Sequence, residues 1–225
     1  MEEGEVINIP WDRHIRLQGS AREITQRGFP QGTTILDVGG GDGALAWYLK
    51  QAGADWQVVL VDPETTGGDG LNLPFEDNSF ELVVSVDALE HIPADSREQF
   101  LKELCRVTRK GLFIHYPEAR SMPAQRLAHS LHPNDQFIRE HVEFVLPSTK
   151  EVVQQLARIL QIEGDDISCG SHVSIQLWLA WWVLFQVSKE QGTVISDYLK
   201  SSCTSANDES CLYDWIYCEK RYVQM

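Results

Sequence analysis

The chain has 225 residues, 43% hydrophobic and 23% charged, with a formal net charge of −14. That length allows one α/β domain with a full core and a small cap, and the composition is ordinary for a globular protein. A surface this acidic repels phosphate backbones and anionic membrane, so no nucleic-acid partner is expected. The N-terminal run MEEGEVINIP lacks an apolar core and does not read as a signal peptide. No run reaches the roughly 18–20 apolar residues that a membrane span needs. Five cysteines, an odd number with no C-x-x-C pair, fit a reducing cytoplasm and argue against a disulfide framework or a zinc site.

The first predicted element is a helix near Trp11 to Arg27. Two readings of it stay open. In one, Trp11, Arg13, His14 and Arg16 reach a ligand pocket; in the other, the helix lies on the surface and packs through Trp11, Ile15 and Ile24. The β-branched and apolar run Ile35-Leu36-Asp37-Val38 then enters Gly39-Gly40-Gly41-Asp42-Gly43, and an amphipathic run begins at Ala44. That order of strand, glycine turn and helix places a ligand at the carboxyl end of a strand, facing a helix N-terminus. The helix buries Leu45, Tyr48, Leu49 and Ala52, with Gly53 as its stop. Gln57 to Val61 reads as a strand covered on both faces, and Phe80 to Val86 as another. Asp95 with Glu98 reads as a capping box for a helix to about Thr108, with Phe100, Leu101, Leu104 and Val107 as its buried stripe and Gly111 as its end. Lys102, Arg106, Arg109 and Lys110 form the one dense basic cluster, read as a complement to that helix's dipole.

Leu112 to Tyr116 is the next predicted strand. Ser148 with Glu151 caps a helix whose face is Val152, Val153, Leu156, Ile159 and Leu160. Ile162 to Ser168 and Leu212 to Tyr222 read as the last two strands, and residues 201–210 as a mobile polar loop. Within Val173 to Val187, Trp178, Trp181, Trp182 and Phe185 fall on one helical face. That face is read as buried against the core or in a homodimer, with an aromatic cap over a substrate and peripheral membrane contact as alternatives. Strands alternating with helices imply a doubly wound, mostly parallel sheet.

The glycine spacing also fits the dinucleotide fingerprint G-x-G-x-x-A through Gly39, Gly41 and Ala44. Charge separates the two ligands. The turn carries Asp37 and Asp42, with no Lys or Arg between Arg27 and Lys50. Such a turn repels a diphosphate by roughly 1–4 kcal/mol per charge pair, and attracts a ligand bearing an ammonium and a sulfonium.

Asp37 through Gly43 resembles the D-x-G-x-G-x-G motif of class I S-adenosylmethionine (SAM)-dependent methyltransferases, of the type 11 kind. Val58 to Asp62, Asp69-Gly70-Leu71-Asn72-Leu73-Pro74-Phe75, Phe80 to Ile92 and Arg106 to Ile114 resemble later family segments in the same order, so the likeness covers about residues 33 to 117. It implies a Rossmann-like sheet of seven strands, the last antiparallel, in one domain spanning 1–225. Helical cap insertions are then expected at about 117–146 and 172–208, where specificity would reside. It implies SAM as cofactor and a small-molecule substrate, with a saccharide or lipid-linked precursor in view. Asp37 and Gly39, Gly41 and Gly43 would hold the methionine part and Asp62 the ribose. Asp69, Gly70 and Leu71 would meet adenine, and Val86 and Asp87 would line the pocket. Gly70 departs from the family's usual Ala.

Methyl transfer needs an aligned nucleophile and, where that nucleophile carries a proton, a base. His91, after the fourth family strand, and His141, flanked by Glu140 and Glu143 nearby, are the two catalytic candidates. The spacing of His129, His132 and His141 matches no metal-ligand pattern, and no metal is expected. The rival readings are an NAD-dependent oxidoreductase and a non-catalytic SAM-binding or interaction subunit.

Overall fold

Apolar residues at alternate positions of each strand divide between two cores, and that division sets the architecture. The computed structural model describes residues 9–202 and 211–220. Helix α1 (Trp11–Thr25) precedes β1 (Thr34–Val38), α2 (Ala44–Gln51), β2 (Gln57–Val61), β3 (Phe80–Val86) and α3 (Arg97–Val107). Then come β4 (Thr108–Pro117), α4 (Met122–Leu131), α5 (Gln136–Glu143), α6 (Thr149–Leu160), β5 (Ile167–Ser174), α7 (Ile175–Val187), α8 (Lys189–Ser202) and β6 (Cys211–Glu219). The sheet order is β2-β1-β3-β4-β6-β5, parallel from β2 to β4, with β6 antiparallel to both its neighbours. Leu36, Val83, Leu112 and Ile114 point to one face and pack with Phe100 and Leu104 of α3 and Leu156 of α6. Ile35, Leu82, Val84 and Phe113 point to the other, against Ile24 of α1 and Leu45 and Leu49 of α2.

Six strands form among the described residues where seven were expected. Residues between β2 and β3 run as turns, because glycines at 67, 68 and 70 weaken a strand and side chains capture the backbone groups. Leu71 N–H donates to Asp69 Oδ1 at 2.8 Å, and Leu73 N–H to Glu103 Oε2 at 2.8 Å. Arg106 donates to the carbonyls of Leu73 (2.9 Å) and Phe75 (2.7 Å). The basic cluster is thus spent on structure: Arg106 also pairs with Glu103 and Asp77, Lys102 with Glu98, and Arg109 and Lys110 with Glu81.

Several boundaries differ from expectation. Ser96, not Asp95, precedes α3; no side chain caps it, and Glu98 turns to Lys102. The helix passes straight into β4, so Gly111 lies inside the strand, where a Cβ would stand 2.8 Å from Phe29 Cζ. Ser148 precedes α6 without a side-chain cap, and Glu118 Oε1 accepts from Thr149 N–H at 3.2 Å instead. β5 starts at Ile167, because Gln161 turns left-handed (φ 55°) and Gly164–Asp166 form a 3-10 turn. It continues to Ser174, inside the stretch 172–208 expected as the second insertion. Positions 203–210 of the polar loop, and 221–222 of the last predicted strand, lie outside the described residues. Gly53 does stop α2, at φ 89°.

Gly70 in place of Ala has a steric cause. A Cβ there would meet Phe100 Cε2 at 2.6 Å, and Phe100 is 1% exposed and held in the core. Gly70→Ala is expected to destabilise the fold by about 1–3 kcal/mol. Urea unfolding checks this: the loss should shrink in a Phe100→Leu background, and an equal loss in both backgrounds would contradict the clash.

Helices α1, α4, α5, α7 and α8 build a cap with its own core. Trp178, Trp181 and Trp182 are buried there with Trp11, Ile15, Ala128, Ile138 and Tyr213. α7 is apolar on nearly every side, but only its tryptophan face is buried; Leu184 and Val187 on the other side are exposed. Trp181 Nε1–H donates to Ser196 Oγ of α8 at 2.8 Å, which satisfies its one polar atom. Among the described residues no helix is long and apolar enough to cross a membrane.

Candidate functional site

The chain runs outward from β1 to β2 and returns to β3, so a crevice opens beyond the carboxyl ends of β1 and β3. The glycine turn forms one wall. Gly39 has φ 78°, and a Cβ on it would lie 2.4 Å from Ala88 Cβ; one on Gly40 would lie 2.2 Å from Asp37 Oδ2. The turn is therefore pressed between Asp37 and the loop after β3, with room for glycine only. Gly41 (φ 58°) and Gly43 (φ 77°) complete it, and Gly43 opens α2.

Asp62, at the end of β2, ties the turn down. Its Oδ2 accepts from Gly41 N–H at 3.0 Å, and its Oδ1 from Glu64 N–H (2.9 Å) and Thr65 N–H (3.1 Å). A carboxylate offers about four lone-pair sites, so Oδ2 keeps capacity for a diol. Asp69 is exposed and closes its own turn on Leu71, with Gly70 and Leu71 half-buried beside it. Val86 is buried at the last position of β3, and Asp87 follows with φ 57°.

Asp37 is the electrostatic anomaly of this wall. It is fully buried, and neither carboxylate oxygen has a hydrogen-bond partner. Burial, and then the neighbouring Asp62 charge, push its pKa up to about 7. A buried carboxylate without a partner fits a cationic group arriving from outside the chain.

Helix α1 resolves both of its readings at once. Trp11 packs into the cap with its ring tilted against Trp181, and His14 Nδ1 lies 2.8 Å from Tyr48 OH, while Ile15 and Ile24 are buried. Arg13 and Arg16 instead reach the crevice. Arg13 forks onto Asp42, Nη1 to Oδ2 at 3.0 Å, and holds that carboxyl below its ordinary value. The glycine turn thus meets a cation that its own stretch of sequence lacks. Arg16 pairs with Asp87, which also accepts from His115 Nδ1 at 3.0 Å. Burial alone would raise Asp87, but Arg16 and His115 outweigh it and hold the carboxyl at about 2. His115 continues to His172, Nε2 to Nε2 at 2.8 Å, and Arg16 lies over the Tyr213 ring at 5.1 Å. Asp87 is therefore a strut between α1 and β4.

The second wall is the loop after β3 together with α4 and α5. His91 and His141, fifty positions apart in sequence, come together with ring centroids 5.0 Å apart. Arg97 fastens the two segments: it donates to the carbonyls of Ile92 (3.0 Å), Phe144 (3.1 Å) and Val145 (2.6 Å). Glu140 Oε2 lies 2.7 Å from His91 Nδ1, and Gln125 Oε1 lies 3.1 Å from His141 Nδ1. Burial, and then His91, push the His141 pKa down to about 3. His129 and His132 take no part; His132 meets the edge of Trp182. Glu90, Gln125, the His115–His172 pair and the pairing of Arg16 with Asp87 are beyond sequence reasoning. Only the adjacency of Glu90 to His91 was a local signal.

Known proteins agree with this geometry. Residues 36–114 match the family described as "Methyltransferase domain". The chain is 26% identical over 131 residues to norajmaline N-methyltransferase of Rauvolfia serpentina, covering 48% of this chain and 43% of that protein. It is 36% identical over 95 residues to an uncharacterized methyltransferase of Mycobacterium sp. (strain KMS), covering 36% and 37%. The chain thus spans about two fifths of the length of these curated relatives. A SAM-dependent methyltransferase from Archaeoglobus fulgidus shares the fold, with TM-score 0.56 and 15% identity over 90% of this chain and 94% of that one. Residues 36–114 therefore match a methyltransferase domain, and the sheet as a whole shares the fold of solved SAM-dependent methyltransferases.

Proposed function

We propose that the protein transfers a methyl group from SAM to a small acceptor held between the glycine turn and the α4–α5 cap. The observation that carries this reading is Asp37, a fully buried carboxylate with no partner beneath a turn that only glycine can form. A SAM ammonium supplies the missing partner, and neither a nicotinamide dinucleotide nor an empty pocket does. Asp62 accepts from the ribose hydroxyls through Oδ2. Asp69, Gly70 and Leu71 border adenine, and Val86 and Asp87 close the side wall. When bound, SAM supplies an electrophilic methyl; the chain's task is to align the acceptor, exclude water and receive a proton where there is one.

His91 and His141 face the acceptor in this reading. Each ring has its Nδ1 turned to an oxygen acceptor, so the Nε2 lone pairs are available to a hydroxyl. That favours O-methylation, and a saccharide or lipid-linked precursor, with its many hydroxyls, is the acceptor class that suits two such atoms. Cys105, Cys169 and Cys218 form no disulfide, in keeping with a cytoplasmic setting.

Transfer of label from methyl-labelled SAM to a panel of glycan and lipid-linked acceptors tests the reading. The wild type should label a hydroxyl-bearing acceptor, and Asp62→Ala should raise the KM for SAM about tenfold or more, the loss of hydrogen bonds to a charged group. Equal KM values in wild type and variant would remove Asp62 from the cofactor site.

A further inference from the structure

Beside the cofactor crevice, the two histidines that face the acceptor converge with a third side chain, Glu90. One donor atom each from Glu90, His91 and His141 lies within 4.8 Å of the other two. Glu90 is 1% exposed and its Oε2 has no partner; His141 is 9% exposed and its Nε2 has none. Buried polar atoms are nearly always satisfied, so two orphans aimed at one point ask for a ligand.

The tautomers select the kind of ligand. Glu140 Oε2 and Gln125 Oε1 only accept, so Nδ1–H of His91 and Nδ1–H of His141 donate to them, at 2.7 and 3.1 Å. Both Nε2 atoms are then left unprotonated. His91 Nε2 stands 4.0 Å from Glu90 Oε1, so its lone pair shares the space with the carboxylate. Imidazoles oriented through Nδ1 by an oxygen acceptor are the arrangement that metal-binding histidines use. Asp87 is not a fourth ligand, because Arg16 and His115 already occupy its two oxygens.

We propose that Glu90, His91 and His141 bind one divalent transition-metal ion, through Glu90 carboxylate oxygen and the two Nε2 atoms. Two nitrogens and one carboxylate suit zinc-like ions, whereas magnesium and calcium take oxygen ligands. Ligand atoms on a tetrahedral zinc with bonds of about 2.0 Å sit about 3.3 Å apart, so modest side-chain rotation closes the set. His91 is half-buried and provides the entry side, under the edge of the exposed Phe137 ring. Ala88, in the same loop, packs on Gly39, so the ion borders the methyl-donor crevice. With the ion bound, both Nε2 lone pairs are taken up, and an acceptor oxygen or water would meet an open position on the ion instead of the two rings.

The test needs no methyl donor, so its outcome is separate from that of the transferase reading. Chelator-treated protein is titrated calorimetrically with Zn2+ and, in parallel, with Co2+ followed by visible absorption. One equivalent of Zn2+ should bind with micromolar or tighter affinity, and Co2+ should develop visible ligand-field bands. Glu90→Gln, which keeps the shape and removes the charge, should weaken binding at least tenfold. Gln125→Ala, which frees the His141 ring, should weaken it about ten- to hundredfold. Thermal melts of the metal-free variants separate loss of binding from loss of fold. Binding that both variants leave unchanged, binding of Mg2+ but not Zn2+, or no stoichiometric binding would each overturn the site.

Discussion

Asp37→Asn should bind S-adenosylhomocysteine about ten- to hundredfold more weakly than the wild type, and yet melt at a higher temperature above pH 7. Both effects come from one buried carboxylate. Its folded pKa, about 7, exceeds the ordinary 3.8, so the folded state holds the proton more tightly than the unfolded chain does. The stability this confers is complete below pH 3.8 and is lost as pH rises through about 7. Above that, holding the charge in place costs up to about 4 kcal/mol, which the neutral amide avoids in part. The same charge is what an ammonium pairs with, at about 1.5–3 kcal/mol for a charged hydrogen bond. Calorimetry and thermal melts at pH 8 measure the two halves. A variant that loses affinity and also melts lower would mean that Asp37 has an internal partner.

Arg16→Met should be the most damaging single change outside the hydrophobic cores. It strands Asp87, a half-buried carboxylate whose two oxygens hold Arg16 and His115. Breaking a buried pair by removing one partner costs about 3–5 kcal/mol, since the remaining charge stays desolvated. For a chain of this size that is a fall in Tm of about 6–20 °C. Arg16→Met with Asp87→Asn should recover much of the loss, because no charge is left behind. A double variant no more stable than Arg16→Met would show that Arg16 acts through its stem over Tyr213 rather than through Asp87.

Much of this architecture is local and can be read from the letters. Ile35 to Val38, Gln57 to Val61 and Phe80 to Val86 are apolar runs of strand length, and they form β1, β2 and β3. The glycine turn announces itself because left-handed backbone at Gly39, Gly41 and Gly43 leaves little choice of residue. What the letters hide is long-range. Nothing near Asp42 says that Arg13 will cover it, so a charge argument confined to residues 27–50 overstates how acidic the turn is. Asp37 escapes that correction, since Arg13 is spent on Asp42 and Asp37 remains unpartnered. The expected third strand fails because Glu103 and Arg106, on a distant helix, bind the backbone that a strand would have used. His91 and His141 could be picked out singly, but their meeting depends on Arg97 clasping the end of α5. The capping boxes Asp95–Glu98 and Ser148–Glu151 do not form: Glu98 pairs with Lys102, and at α6 the first N–H is taken by Glu118.

The measurement that bears most directly on the central claim is calorimetric titration of the wild type with S-adenosylhomocysteine and with NAD, at pH 6 and pH 8. The account predicts micromolar binding of the homocysteine compound, about tenfold tighter at pH 8, where Asp37 is ionised, and no binding of NAD. Binding of NAD, or of neither ligand at either pH, would contradict it.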